Sequence, residues 1–218
     1  MAQMRHALFQ FGAKAYYSSH RFSVKINGDK STDKWLVTDT ALERRYNMYS
    51  RLRQYHLIGA IGGFLTVLSA IIGIAIFSSY YISPESLIIV GILGIAGDGL
   101  IVSYFAGVFS VSRDSLIKTG SLIAGIGLGW NILIAILQLA GIYFFVLALL
   151  GVLVTIAGEV IVFVKLITLF QRDSLIVVFC IFVLLGLLLS LFWIWASIIS
   201  GAGLGSLLIY FYTHNITY

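Results

Sequence analysis

From His56 to Tyr218 the chain runs for 163 residues with four basic residues, Arg113, Lys118, Lys165 and Arg172, among near-continuous Leu, Ile, Val, Phe and Gly. That stretch decides the solvent. A soluble domain carries about 25% charged residues, whereas this chain of 218 residues is 11% charged and 60% hydrophobic. Hydrocarbon offers no partners for free amides and carbonyls, so the backbone must satisfy itself, which helices do. The fold class that follows is an all-α integral membrane protein.

A helix needs about 20 apolar residues to cross roughly 30 Å of hydrocarbon. The chain offers such stretches at 56–79, 86–109, 116–138 and 142–165, each bounded by polar or turn residues. The 45 residues from Ser174 to Tyr218 hold one generous span, 174–197, and a short one at about 201–216 after Ser200-Gly201-Ala202-Gly203. The expectation is a bundle of six transmembrane helices, with five as the alternative.

Two regions are expected, a basic polar segment over 1–55 and the bundle over 56–218. The first holds ten of the fourteen Lys and Arg. In it Phe22-Ser23-Val24-Lys25-Ile26 alternates apolar with polar into Asn27-Gly28, a hairpin signal with Trp35-Leu36-Val37 as return strand. Thr40-Ala41-Leu42-Glu43 has the form of a capping box opening a basic helix that runs into the membrane. Arg5, Lys14, Arg21 and Lys25 precede any acid, as in a mitochondrial targeting segment, a membrane-surface arm or a solvated tail.

All the basic residues outside this segment fall in loops on its side of the membrane, while the opposite loops carry none. The positive-inside rule puts that face in the cytoplasm, with the plasma membrane favoured, or in the matrix of a mitochondrion. Aromatic belts agree, with Tyr80, Tyr81, Tyr143, Trp193 and Trp195 outside and Tyr46, Tyr49, Phe170, Tyr210 and Tyr212 inside. Asn215-Ile216-Thr217 matches a glycosylation sequon but would face the cytoplasm under six helices. An acid and serine also recur before Leu-Ile at Ser83–Ile88, Ser112–Ile117 and Gln171–Ile176. Capping of free amides explains this motif, with a repeated hairpin unit as the alternative.

Small residues recur every four positions at Gly59/Gly63, Gly99/Ser103/Gly107, Ser121/Gly125/Gly129 and Gly201/Gly205. Such stripes let backbones approach and predict tight packing within the bundle. Asp98 lies near the midpoint of the second span, where an ionised carboxylate costs roughly 2.5 to 3.5 kcal/mol or more. Glu159 lies in the fourth span, one turn from Thr155; Asn131 and Gln138 share a face of the third. These five residues form a candidate polar track. It reads either as a proton or cation pathway or as neutral acids held in interhelical hydrogen bonds.

No catalytic, nucleotide-binding or zinc motif occurs. The lone Cys180 has no disulfide partner, and the four histidines are placed away from the bilayer centre, so no cofactor or metal is expected. The leading expectation is a non-catalytic structural or accessory subunit. It would contact the lipid bilayer and other membrane subunits, and no nucleic acid. The alternative is a proton- or cation-linked carrier or channel.

Overall fold

The computed structural model describes residues 32–78, 83–190, 196–216 and 218. The described residues form six helices and no strand: α1 Thr32–Phe77, α2 Pro84–Val111, α3 Ser115–Leu139, α4 Phe145–Leu169, α5 Ser174–Ser190 and α6 Ala196–His214. The chain divides into two compact units, Met1–Arg44 and Arg45–Tyr218, and the second, which holds every apolar span, is described by itself. Five helices are long and apolar enough to cross a membrane, α1 through its Ser50–Phe77 part. The 17 described residues of α5 rise about 25 Å, just short of the hydrocarbon thickness.

Two expectations at the polar end need correction. Trp35-Leu36-Val37 is helical and not a return strand, and Thr40–Glu43 lies inside α1 and does not open it. Helix interiors have no free amides for a capping box to bind, and Ala41, Leu42, Glu43 and Arg44 are all strong helix formers that let the helix run through. The proposed first strand at 22–26 and its turn lie outside the described residues. At the other end, Ser200-Gly201-Ala202-Gly203 is helical, and α6 starts at Ala196. Its small residues serve packing: a Cβ on Gly203 would meet the Val183 amide at 3.1 Å, and one on Gly186 would meet the Ser200 Cα at 2.7 Å.

Helix starts follow local chemistry. Ser83 caps α2, accepting from the Ser86 amide at 3.2 Å, with Pro84 at the first helical position. Asp114 caps α3 through the Leu116 and Ile117 amides at 2.9 and 3.1 Å. Asp173 does the same for α5 with Leu175 and Ile176 at 3.2 and 3.4 Å. The recurring motif therefore works as a cap in all three places, through serine in the first and aspartate in the others. Gly141, at φ +84°, takes the left-handed conformation that lets α3 turn back into α4.

Helices α2 to α6 pack in chain order, and α1 closes the set. A Cβ on Gly62 would meet the Gly97 carbonyl of α2 at 2.8 Å, and one on Gly63 would meet the Gly201 carbonyl of α6 at 2.9 Å. The result is a closed ring in which neighbours run antiparallel. Helices in lipid gain little from burying apolar surface against each other, so close backbone approach and interhelical hydrogen bonds carry the association. Ser69, donating to the Val90 carbonyl at 3.0 Å between α1 and α2, is one such bond. Leucine and isoleucine project outward on every helix, among them Ile92 at 56% and Ile126 at 61% exposure, a surface suited to lipid.

One end of the ring gathers the described basic residues of this unit together with Asp114 and Asp173. Lys165 near the end of α4 pairs with Asp114 at 3.2 Å, and Tyr210 of α6 donates to Asp173 at 3.0 Å. Arg53 of α1 donates to the Tyr212 carbonyl at 3.3 Å and lies 4.4 Å over its ring. Burial works to raise the Asp114 carboxyl, but the Ile117 and Leu116 amides and the Lys165 ammonium outweigh it and hold it below the usual range.

Candidate functional site

The interior of the ring is not uniform along its axis. Toward the charged end, Tyr104, Phe105, Ile117, Phe163, Leu166, Leu208 and Phe211 are all completely buried and fill it. Farther from that end, polar side chains enter. Thr155 and Glu159 on α4 are buried at 6% and 5% exposure. Asp98 on α2 is half-buried and lies close enough to Glu159 for a charge on one carboxyl to act on the other.

Asn131 joins this region from α3. Its amide donates to Thr155 Oγ1 at 3.3 Å, and that hydroxyl donates back to the Gly151 carbonyl at 2.9 Å. Gly151 and Gly127 make the approach possible, because a Cβ on Gly151 would run into the Asn131 side chain and one on Gly127 would meet the Thr155 amide at 2.5 Å. Four of the five candidate track residues are thus interior, on α2, α3 and α4. Gln138 stands apart, since seven residues place it about 10 Å farther out than Asn131, at the end of α3.

The small-residue stripes divide. Gly59, Gly63, Gly107, Gly201 and Gly205 all sit where a Cβ would collide with a neighbouring helix: Gly59 on Tyr104, Gly107 on Tyr55, Gly205 on Phe64 at 3.0 Å, and Gly63 and Gly201 on each other's carbonyls. Gly99 and Gly129 have nothing within 4 Å, and a Cβ on Gly125 would reach only Phe105, at 3.9 Å. The expected stripe Ser121/Gly125/Gly129 is therefore not the seam of α3 beyond Ser121, which is buried. The seam runs through Gly120, Ala124 and Gly127, which meet Gly158 and Thr155 of α4. The cause is geometric: positions four apart drift about 40° per step around a helix, so a long i, i+4 stripe leaves the interface.

A second polar group was not anticipated. His56 is completely buried. Its Nε2 lies 3.4 Å from the Tyr218 hydroxyl, and that hydroxyl is 2.6 Å from the hydroxyl of Tyr104. Phe211 packs against both the His56 ring, at 5.3 Å between centroids, and the Tyr218 ring, at 5.5 Å. His56 Nδ1 and Ser121 Oγ are buried with no hydrogen-bond partner among the described residues. Helical spacing carried the signal for the histidine, because Leu52, His56, Gly59 and Gly63 recur on one face. No spacing rule points to Tyr218, which follows α6 and folds back.

Among the described residues, no group of three or more His, Cys, Asp or Glu is arranged to hold a metal ion. Fold and interior together define a multi-pass helical membrane protein with an acidic pair inside its ring. No protein-family model, no curated protein and no solved structure matches this chain.

Proposed function

We propose that the protein is a non-enzymatic carrier or channel for protons or small cations, with Asp98 and Glu159 as its ion-binding groups. One observation supports this reading above the others. Two carboxyls from different helices share the ring interior within each other's electrostatic reach, and the nearest cations in sequence, Arg113 and Lys165, belong to its charged end. Intramembrane acids are expensive, and a structural bundle has no need to place two together. In apolar surroundings both cannot be charged and empty at little cost, which favours uptake of a proton or cation. Thr155 and Asn131, one and two turns outward, continue the polar surface.

An accessory subunit remains the second reading, favoured by glycines seated on partner backbones between α1 and α6 and between α3 and α4. Liposomes separate the two. Purified protein is expected to dissipate an imposed proton or cation gradient, and Asp98→Asn to abolish that flux while leaving folded protein intact, because an amide preserves hydrogen bonding but cannot change charge. Gradients that persist with the wild-type protein, together with copurification of larger membrane proteins, would establish the subunit reading.

The charged end of the ring is assigned to the cytoplasm, or to the matrix in a mitochondrion, from its basic residues. Cysteines placed singly at 83 and at the exposed position 113 are expected to label from opposite sides, 113 from the cytoplasm. Labelling of 83 from the cytoplasm with 113 protected would invert the assignment.

A further inference from the structure

We propose that Tyr218 is a latch: seated in the charged end of the ring, it shuts the interior from that side, and it leaves its seat without the opening of any helix. This deepens the carrier reading above and rests on it for its functional consequence, which is control of access to Asp98 and Glu159 from the charged end.

The latch begins with the way α6 ends. Asn215 takes φ +52°, the left-handed conformation that asparagine accepts more readily than most residues with a Cβ. The chain reverses there, and the Ile216 amide donates to the Phe211 carbonyl at 3.1 Å, the six-to-one bond of a Schellman ending. Ile216 and Tyr218 then pack against the buried core. The Tyr218 hydroxyl meets that of Tyr104 on α2 at 2.6 Å and His56 Nε2 on α1 at 3.4 Å. Its ring lies 5.5 Å from that of Phe211 on α6. Cys180 on α5, completely buried, is within electrostatic reach of the same hydroxyl. One side chain from outside the helices thus fills a seat formed by four of them.

Two features suit this seat to release. Tyr218 keeps part of its surface exposed and stands four residues beyond His214, the last residue of α6, so its departure breaks no hydrogen bond within a helix. The surface it would uncover is also polar. The Tyr104 hydroxyl, His56 Nε2 and His56 Nδ1, the last buried with no partner among the described residues, would all meet water. Removal of an ordinary core residue leaves an apolar hole that stays dry, whereas water entering this seat finds donors and acceptors. Tyr104 is within electrostatic reach of Glu159, so an open seat shortens the apolar stretch between the charged end and the acids.

Cys180 is the one cysteine of the chain, so its reaction with a permanently charged methanethiosulfonate reagent reports opening directly. In proteoliposomes with the reagent on the side of the charged end, wild type is expected to react slowly. Tyr218→Ala should react about tenfold faster or more. Asn215→Val, strained at a positive φ, unseats the same tyrosine by another route and should also react faster, whereas Asn215→Gly keeps the turn and should react slowly. Melting in detergent should be unchanged in all three. Ion flux that depends on Asp98 should rise in Tyr218→Ala. Fast labelling in Tyr218→Ala and Asn215→Val without flux in any protein would leave the latch standing and remove the carrier reading. Flux that depends on Asp98 but is equal in wild type and Tyr218→Ala would overturn the control of access. Labelling equal in all four proteins, or faster only where melting falls, would overturn the latch whatever the flux.

Discussion

Gly158→Leu is expected to break the contact between α3 and α4 and cost about 3 kcal/mol or more, the upper end for overpacked interiors. The obstruction is backbone. A Cβ at this position would run into the Ala124 amide and meet the Ala124 Cα and the Gly120 carbonyl, each at 2.7 Å, so no rotamer change in a neighbour makes room. The contact is reciprocal, because a Cβ on Gly120 would meet the Gly158 carbonyl at 2.9 Å. Relief requires separating the helices, which also pulls Thr155 away from Asn131 and shifts Glu159. Gly129→Leu is the control, one turn from the same interface with open space around it. Thermal unfolding in mild detergent, with size-exclusion behaviour as a second readout, should show a large loss for Gly158→Leu and little change for Gly129→Leu. Equal melting of the two would mean that α3 and α4 do not meet through these glycines.

The sequence shows the ends of the helices more plainly than the faces they pack through. Helix number and most helix ends were legible because they depend on local chemistry: hydrocarbon thickness sets span length, and Ser83, Asp114 and Asp173 cap whatever helix follows them. Facing was harder. Along α3 apolar and small residues occur all round, so Gly125 and Gly129 look as good as Gly120, Ala124 and Gly127 until a partner helix selects one side. Asp98 and Glu159 stand out because acids are costly in lipid, but whether they lie near each other depends on which faces α2 and α4 turn into the ring. His56 lies away from the bilayer centre and so carries no metal signal, but its spacing from Gly59 and Gly63 puts it on the interior face. The return of Tyr218 to Tyr104 joins positions 114 apart in sequence, a pairing that no local rule foresees.

For the acids themselves, a double-mutant cycle is expected to show that they act as one site. Asp98→Asn and Glu159→Gln each replace a carboxyl by an amide of nearly the same shape, and each relieves the same charge–charge repulsion. Neither should lower the melting temperature, because a neutral amide costs less to bury than an acid that must be protonated or paired. Each should nonetheless abolish ion flux, an arrangement in which function is kept at the expense of stability. The stabilities should not add: once one acid is gone, the repulsion is gone, so the second replacement should gain less than it does alone, with a coupling of about 0.5 kcal/mol or more. Melting of wild type, both single variants and the double variant in one detergent measures this. Strict additivity would place the carboxyls out of each other's reach and end the case for a shared site, whatever the flux measurements give. A coupling of the opposite sign, with the double variant gaining more than the sum of the singles, would mean instead that the acids stabilise one another through a shared proton held in a hydrogen bond.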